Sequence, residues 1–549
     1  MSLLSRVAER VLGLPPAVTR DVEVRRGLRV PMPDGVELAA DLYRPRRVPN
    51  APTILIRTPY GRGGLLGAGV CRPFAERGFQ VLVQACRGTG GSGGRFDPFG
   101  DERVDGLATL DWIEKQPWFH GGLLTFGPSY LGYVQWAMAA DARDRITAMV
   151  PVVTASQFRD QTYLGDSYTL RGTLNWAAMM TAREGGPLRL LWHRVYGRRR
   201  AMAAMTHLPL SEADVRATGQ PVEWFRRWLE SDAPGHPYWV PERDHRARVR
   251  EVVAPVHLVG GWHDLFLCSQ LEDYAALREA GREPYLTIGP WTHSDRAGLG
   301  AAMSEALSWF RAHVAGDRRA LREHPVRLYV QGAEEWRDHP EWPPPGAVRQ
   351  TWWLQPGGGL APSSPADSPP SRFRYDPSDP TPGVGGPLLD GKAAGPRDNA
   401  AVEARPDVLV FTGPALREPL EVIGPVTARI ALRSTREHTD VFVRVCDVDP
   451  AGRSLNVCDG LQRVTPERFP ADGDGVRSVT VRLWPTAYRF RAGHRLRVQV
   501  SSGSFPRFAR NPGTGEPLGA AVRLLPADQE IFHDPIHRSG VTFPTFRTP

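Results

Sequence analysis

Lysine is nearly absent from this chain of 549 residues: only Lys115 and Lys392 occur, so arginine supplies almost all of the positive charge. The formal net charge is +8, but it is spread along the chain, and its densest run, Arg198 to Arg200, is short. Nucleic-acid binding requires clustered positive charge. We therefore expect a solvated basic surface and no nucleic-acid partner.

Cysteine is also scarce and odd in number. The five cysteines lie at scattered positions: Cys71, Cys86, Cys268, Cys446 and Cys458. No pair has the spacing of a zinc or redox motif, which argues against a disulfide framework and favours a reducing compartment. The acid-containing segments 447–452 and 471–475 do not complete a calcium-loop pattern. We expect no metal and no other cofactor.

Long apolar runs are missing as well. A membrane-spanning helix needs about 18 or more consecutive apolar residues, so no membrane partner is expected. The first residues carry Arg6, Glu9 and Arg10 where a secretory signal would need an apolar stretch, and their apolar residues instead repeat at helical spacing. These features predict a short N-terminal helix and a cytoplasmic location, and they leave homo-oligomer formation open.

Residues 1–154 alternate between strand-like and helix-like segments. Segment 20–45 predicts a hairpin turning at Asp34-Gly35, and the apolar run from Thr53 to Ile56 is typical of a strand buried on both faces. Segment 101–118 predicts a helix with one apolar face, formed by Val104, Leu107, Leu110 and Ile113. Such alternation is typical of an α/β layer.

The rest of the chain changes pattern twice. Residues 155–246 place aromatic residues and arginines at helical spacing, which predicts a helical cap inserted into the α/β domain. Residues 247–345 return to short apolar strands that complete that domain. Residues 346–549 show short alternating strands between turns, typical of a β-sandwich or jelly roll.

The segment Gly127-Pro128-Ser129-Tyr130-Leu131-Gly132 carries the chemistry. It joins a predicted strand to a predicted helix, where a sharp turn exposes a serine hydroxyl and aims the next backbone N–H at a developing oxyanion. The pattern is G-x-S-x-x-G rather than the commoner G-x-S-x-G. Taken alone, Ser129 could equally be a helix cap.

A nucleophilic serine needs a base and an acid, which follow it in the order acid, then histidine, in α/β hydrolases. Asp264 and His293 both come directly after predicted strands, in that order. Either residue alone would more simply be a helix cap or an ordinary histidine. His263 competes as the base, but it directly precedes Asp264, and adjacent side chains tend to point apart. The three positions together predict a Ser129–His293–Asp264 triad that cleaves an acyl bond.

Several motifs resemble the cocaine esterase / X-prolyl dipeptidyl-peptidase family of serine α/β hydrolases. They occur in the family's order from residue 57 to near the end of the chain: RTPYGR (57–62), RGTGGSGG (87–94), GPSYLG (127–132), GGWHD (260–264), GPWTH (289–293) and residues 493–515. The resemblance implies an α/β-hydrolase domain with an inserted helical cap, a C-terminal jelly-roll β-sandwich, and esterase or peptidase activity without a cofactor.

Site residues follow from this resemblance position by position. It implies Ser129 as nucleophile, Asp264 as acid and His293 as base. It also implies that the Tyr60 phenol shares the oxyanion hole with the Tyr130 backbone N–H. Without the resemblance, Tyr60 would be interpreted as a half-buried packing residue.

The chain departs from the family at one position of the arginine-glycine loop. Family members commonly have an aspartate two residues before the arginine, and here Ala85 stands two residues before Arg87. The loop must then be fixed in another way.

Specificity is less clear from the sequence. Aromatic residues near the triad and in the cap are candidates for an acyl pocket, although core packing also explains them: Phe266, Trp262, Trp291, Trp176, Tyr163 and Tyr168. Asp160 and Asp166 are candidates for binding a substrate ammonium, although surface solvation explains both. Without a clear acidic cluster, we expect a small-molecule ester with an uncharged acyl group. The alternatives are an X-Pro dipeptidyl aminopeptidase, an amino-acid-ester or amide hydrolase, an acyltransferase, and a non-catalytic carbohydrate- or partner-binding protein.

Overall fold

The structure is a computed structural model that describes residues 2–546. The chain divides into two compact units. The first contains the residues up to Arg159 together with Gly235–Arg327, and the second contains Asp160–Pro234 together with the residues from Leu328 onward. The segments that we predicted as cap and jelly roll therefore belong mainly to one unit, and the finer four-part division stays a prediction.

The first unit is built on a mixed β-sheet. Its strands up to residue 292 are β1 (Val22–Pro31), β2 (Glu37–Pro45), β3 (Thr53–Thr58), β4 (Gln80–Ala85), β5 (Leu123–Pro128), β6 (Ala148–Val152), β7 (His257–His263) and β8 (Tyr285–Thr292). They are ordered β1-β2-β4-β3-β5-β6-β7-β8. From β4 to β8 neighbouring strands are parallel, whereas β2 is antiparallel to both β1 and β4. Every residue of β3 and β4 is buried, as strands covered on both faces require.

The predicted hairpin is confirmed. Strands β1 and β2 pair antiparallel from Val22 opposite Pro45 to Pro31 opposite Glu37, with an irregularity between Arg25 and Leu28. Gly35 has a φ of 83° in the connecting turn, a backbone conformation that glycine adopts without strain.

Helices connect the strands of the first unit. The α-helices of four or more residues that lie wholly in this unit are Ser2–Val11, Arg72–Ala75, Glu102–Glu114, Tyr130–Ala142, Leu267–Glu279 and Arg296–Ala315, and a π-helix (Gly67–Cys71) and a 3₁₀-helix (Arg246–Glu251) are also present. The predicted helix over 101–118 is present as Glu102–Glu114, and its predicted face is confirmed in part, because Leu110 and Ile113 are buried. Val104 is exposed, whereas Glu102 and Asp105 are buried. These carboxylates lie inside because buried arginines pair with them, as described below.

The second unit contains a helical segment and an all-β segment. The helical segment includes Leu170–Glu184, Gly186–Trp192, Arg198–Ala204, Ala213–Thr218 and Glu223–Glu230. The longer strands of the β segment include Val348–Gln355, Leu409–Ala415, Thr427–Ser434, Thr439–Val448, Ser454–Val464, Arg495–Ser501, Ala527–Phe532 and Gly540–Phe546; shorter ones are Gly359–Ala361, Ser371–Tyr375, Leu420–Gly424, Arg477–Arg482 and Thr486–Phe490.

One strand of the β segment shows the predicted alternation in part, whereas every residue of Thr439–Val448 is buried. In Thr427–Ser434 the side chains of Ala428, Ile430 and Leu432 are buried, while Arg429 and Arg433 between and beyond them are exposed. One face of such a strand therefore packs inward. The predicted fold class, an α/β hydrolase with a helical cap and a C-terminal β-sandwich, is confirmed. None of the helices in the described part of the chain combines the length and apolar character needed to cross a bilayer.

Candidate active site

Ser129 lies at a strained turn between β5 and the helix Tyr130–Ala142. Its φ of 59° and ψ of −125° are rare for any residue other than glycine. Such strain persists only where the surroundings fix it, and it concentrates at functional sites. Here the Ser129 N–H donates to the Val152 carbonyl at 2.9 Å, and the Thr154 hydroxyl donates to the Ser129 carbonyl at 2.7 Å.

The two glycines of the motif are required by close packing around this turn. A Cβ atom at Gly127 would overlap Leu131, and one at Gly132 would overlap the Thr154 side chain. The spacing G-x-S-x-x-G is therefore explained by two separate crowded positions. One lies before Ser129, and the other lies on the first turn of the helix.

Gly132→Ala should lower the stability of the protein. The added methyl group has no room beside Thr154, and overpacking of this kind costs about 1–3 kcal/mol. Thermal unfolding measures the effect. Gly172→Ala is the matched control, because a Cβ atom there meets no atom within 4 Å. An unfolding midpoint for Gly132→Ala equal to that of the wild type would contradict the packing described here.

Asp264 and His293 meet at the carboxyl edge of the sheet. Asp264 follows β7 and His293 follows the parallel neighbour β8. The distance from His293 Nδ1 to Asp264 Oδ2 is 2.6 Å. Asp264 is fully buried, and its other oxygen accepts the Phe266 N–H at 2.8 Å. The carboxylate therefore orients His293, and the sequence neighbour His263 does not take that place.

Ser129 and His293 share no hydrogen bond in the described part of the chain. Hydrogen bonds between catalytic groups are often long in unliganded structures and shorten when substrate binds. The His293–Asp264 pair is thus formed, whereas proton transfer from Ser129 remains part of the proposal below.

The two residues predicted to supply the oxyanion donors, Tyr60 and Tyr130, have their rings in contact. Tyr60 is half-buried in the turn after β3, where its N–H donates to the Thr58 hydroxyl at 3.0 Å. Its ring meets the Tyr130 ring edge-on, with centroids 6.5 Å apart. The Tyr130 N–H lies at the helix start directly after Ser129, the position expected of an oxyanion donor.

The Tyr130 side chain is an anchor inside the domain. Its hydroxyl donates to Glu102 Oε1 at 2.6 Å and accepts the Phe99 N–H at 3.0 Å. The second Glu102 oxygen pairs with Arg57 at 2.8 Å. Burial beside Glu102 raises the pKa of Tyr130 well above its ordinary value. The phenol therefore stays neutral and holds the start of the helix in place.

The arginine-glycine loop is fixed by acids other than the one that Ala85 replaces. Arg87 Nη2 donates to Asp105 Oδ1 at 2.6 Å, and Arg87 Nη1 donates to Asp34 Oδ2 at 2.6 Å. These partners raise the pKa of Arg87 further. The Ser92 hydroxyl also closes the loop by donating to the Ala85 carbonyl at 2.8 Å. The loop is thus held by Asp34 of the hairpin turn and by Asp105 of the helix Glu102–Glu114.

Two phenylalanine side chains lie near His293. The Phe266 ring lies 5.3 Å from the His293 ring, and the Phe158 ring lies 5.2 Å from Phe266. The sequence analysis named Phe266 but missed Phe158, which follows β6 without any motif around it. Trp262 and Trp291 are buried, and Trp291 packs against the backbone of neighbouring glycines, so packing accounts for Trp291.

The cap residues named from the sequence pack within their own unit. Tyr163 donates to the Trp228 carbonyl at 2.7 Å and its ring lies 5.3 Å from that of Tyr168. The half-buried Trp176 stacks on Trp228 at 5.8 Å. Asp166 forms an ion pair with Arg468. Tyr163, Tyr168 and Trp176 therefore pack against cap residues, whereas Asp166 pairs with the β segment of the same unit, and a pocket role for these residues stays a prediction.

A buried carboxyl, Asp273, contacts the loop that follows β6. Asp273 accepts the Ser156 N–H at 2.9 Å and the Ser156 hydroxyl at 2.6 Å. Burial raises its pKa from 3.8 to about 8. The folded protein therefore keeps a proton on Asp273 over a pH range in which the unfolded chain has lost it.

The contribution of Asp273 to the free energy of unfolding should consequently fall as the pH rises from about 4 to about 8, because in this window its carboxyl keeps a proton in the folded state that it has lost in the unfolded state. Asp273→Asn cannot titrate and should remove that contribution to the slope. Urea unfolding of both proteins across this range measures the difference. Identical slopes would contradict the raised pKa.

Comparison with known proteins identifies the class of this site. Residues 34–295 match the family model of the X-Pro dipeptidyl-peptidase (S15 family), and residues 319–541 match that of the X-Pro dipeptidyl-peptidase C-terminal non-catalytic domain. The chain is therefore a serine hydrolase, and within that class it is either an esterase or a peptidase.

Individual relatives define the family more narrowly. The cocaine esterase of Rhodococcus sp. (strain MB1 Bresler) is 30% identical over 584 residues, which cover 96% of this chain and 100% of that protein. The chain belongs to the cocaine esterase / X-Pro dipeptidyl-peptidase family of serine α/β hydrolases.

Solved structures share the fold. An aminopeptidase from a marine sediment Thaumarchaeota archaeon aligns with a TM-score of 0.83 and 21% identity, covering 97% of this chain and 98% of that chain. An alpha-amino acid ester hydrolase aligns with a TM-score of 0.82 and 22% identity over the same shares. At these identities the likeness concerns the fold alone.

Proposed function

We propose that this chain hydrolyses esters of uncharged carboxylic acids through an acyl-enzyme on Ser129. The observation that carries the proposal is the strained Ser129 turn on the same sheet edge as the hydrogen-bonded His293–Asp264 pair. A serine hydroxyl is a weak nucleophile until a base activates it. A histidine whose Nδ1 is already engaged by a carboxylate presents Nε2 for that task.

The reaction has two steps. His293 Nε2 takes the proton of Ser129 as its oxygen attacks the ester carbonyl, and Asp264 stabilises the imidazolium. The tetrahedral intermediate collapses, the alcohol leaves with the proton from His293, and the acyl group stays on Ser129. Water then attacks the acyl-enzyme with the same proton transfers. The Tyr60 hydroxyl and the Tyr130 N–H donate to the oxyanion in both steps.

An uncharged acyl group fits the surroundings of the base. The Phe266 and Phe158 rings flank His293 with apolar surface. The acidic side chains of Asp264, Asp273 and Glu102 each form hydrogen bonds with groups of their own unit. To bind a substrate ammonium, the site would need a carboxylate that is not already hydrogen-bonded to other groups in this way.

Two kinds of substrate are compared to test the proposal. We expect measurable hydrolysis of p-nitrophenyl acetate and p-nitrophenyl benzoate, and little or none of Ala-Pro-p-nitroanilide.

Preferred cleavage of the anilide would replace the ester proposal with an X-Pro dipeptidyl aminopeptidase, and preferred cleavage of α-amino-acid esters or amides would favour an amino-acid-ester or amide hydrolase. An added alcohol that captures most of the acyl group would indicate an acyltransferase. Family membership argues against a purely carbohydrate- or partner-binding role.

A further inference from the structure

The loop of residues 153–158, called the β6 loop below, contacts both parts of the site. At one end the Thr154 hydroxyl donates to the Ser129 carbonyl at 2.7 Å. At the other end the Phe158 ring packs on Phe266, which in turn packs on the His293 ring. The conformation of this loop therefore affects the positions of both Ser129 and His293.

The β6 loop is not in a relaxed conformation. Val153 has a φ of 39°, a value that is a genuine outlier for a β-branched residue. A strained backbone conformation persists only where contacts with neighbouring groups hold it in place. The Val153 N–H donates to the Val259 carbonyl at 2.8 Å, and the His245 N–H donates to the Ser156 carbonyl at 3.0 Å.

The strongest restraint comes from the helix Leu267–Glu279. Asp273 holds Ser156 with both of its oxygens, accepting the backbone N–H with one and the hydroxyl with the other. One turn earlier, the Ser269 hydroxyl accepts the Gln157 side-chain amide at 3.0 Å. This helix begins three residues after Asp264, so it links the β6 loop to the acid of the triad.

We propose that Asp273 is a positioning residue, which fixes the β6 loop through Ser156 and thereby sets Ser129 against the His293–Asp264 pair. The proposal rests on the function proposed above, because it concerns the same triad. Asp273 touches neither substrate nor the reacting atoms. It acts through Thr154 at the nucleophile and through Phe158 at the base.

The test compares Asp273→Asn, Ser156→Ala and the double variant. Above a pH of about 8 the Asp273 carboxylate accepts hydrogen bonds with both oxygens, whereas asparagine keeps the shape of the side chain but accepts with only one of its two polar atoms. The assays are therefore run at about pH 9. We expect kcat for p-nitrophenyl acetate to fall about tenfold or more, with KM within about twofold, because an ångström-scale displacement of catalytic groups can cost on the order of a hundredfold in rate. Labelling by a fluorophosphonate should slow in parallel.

The double variant should be no slower than Asp273→Asn alone, because both changes break one interaction. Asp214→Asn is the matched control: Asp214 is also a buried carboxylate that accepts a backbone N–H, from Val222 at 2.8 Å, and its loss should lower the unfolding midpoint without lowering kcat. If Asp273→Asn fails to fold, Ser156→Ala decides the question.

A lower unfolding midpoint with unchanged kcat would overturn the proposal, because a purely structural residue would behave in that way. Fully additive losses in the double variant would also overturn it. Ser129→Ala separates this failure from failure of the proposed function. An inactive Ser129→Ala beside a fully active Asp273→Asn rejects the positioning role alone, whereas an active Ser129→Ala rejects the triad itself.

Discussion

Ser129→Ala should reduce kcat for ester hydrolysis by about four to six orders of magnitude, since loss of a triad nucleophile leaves only the rate enhancement from substrate binding and the oxyanion hole. The strain at Ser129 is a property of the turn, so the fold should tolerate alanine. A p-nitrophenyl acetate assay measures the loss, and thermal unfolding checks that the variant remains folded.

Ser308→Ala is the matched control for that experiment. Ser308 is an exposed serine on the helix Arg296–Ala315 of the same unit, where its hydroxyl donates to the Ser304 carbonyl. Its loss should leave kcat unchanged. If Ser129→Ala kept more than a small fraction of the wild-type rate, Ser129 could not be the group that carries the acyl intermediate.

Tyr60→Phe should lower kcat by a factor of about a hundred or more, because removing one oxyanion donor costs about 3 kcal/mol of transition-state stabilisation. KM should change little, since the hydroxyl interacts with charge that develops only in the transition state. Steady-state kinetics with one ester gives both constants.

Tyr285→Phe provides the comparison for Tyr60→Phe. The Tyr285 hydroxyl donates to the Arg322 carbonyl at 2.8 Å within the same unit, so its removal should cost stability and leave kcat unchanged. A Tyr60→Phe enzyme with wild-type kcat would remove Tyr60 from the oxyanion hole and leave the Tyr130 N–H to act there without it.

Local patterns made much of the fold predictable. The Asp34-Gly35 turn between alternating residues predicted the hairpin, and the apolar run at Thr53 predicted β3. The Asp264–His293 pairing was also predictable, because both residues follow strands and parallel neighbours bring their carboxyl ends to one edge. Each of these predictions needed only short stretches of sequence and a rule of sheet geometry.

The polar interior could not be predicted in the same way. Glu102 and Asp105 interrupt the apolar pattern of their helix, and a pattern based on hydrophobicity places such residues outside. They are buried because Arg57 and Arg87 pair with them. Those partners lie on other elements, 45 and 18 residues away along the chain. Only the folded structure brings the opposite charges together.

The β6 loop was missed for a similar reason. Ser156 and Asp273 are 117 residues apart, and neither lies in a motif. The positive φ of Val153 has no signal in the sequence, since valine favours extended backbone. Residues that position a site from outside its motifs therefore become visible only through their contacts.

The central claim is that Ser129 is the residue that becomes acylated, and labelling with a fluorophosphonate followed by peptide mapping tests it most directly. We expect one adduct per chain, on the peptide that contains Ser129, and a much slower reaction in His293→Ala. An adduct on another residue, or no adduct on a protein that still hydrolyses esters, would contradict the account.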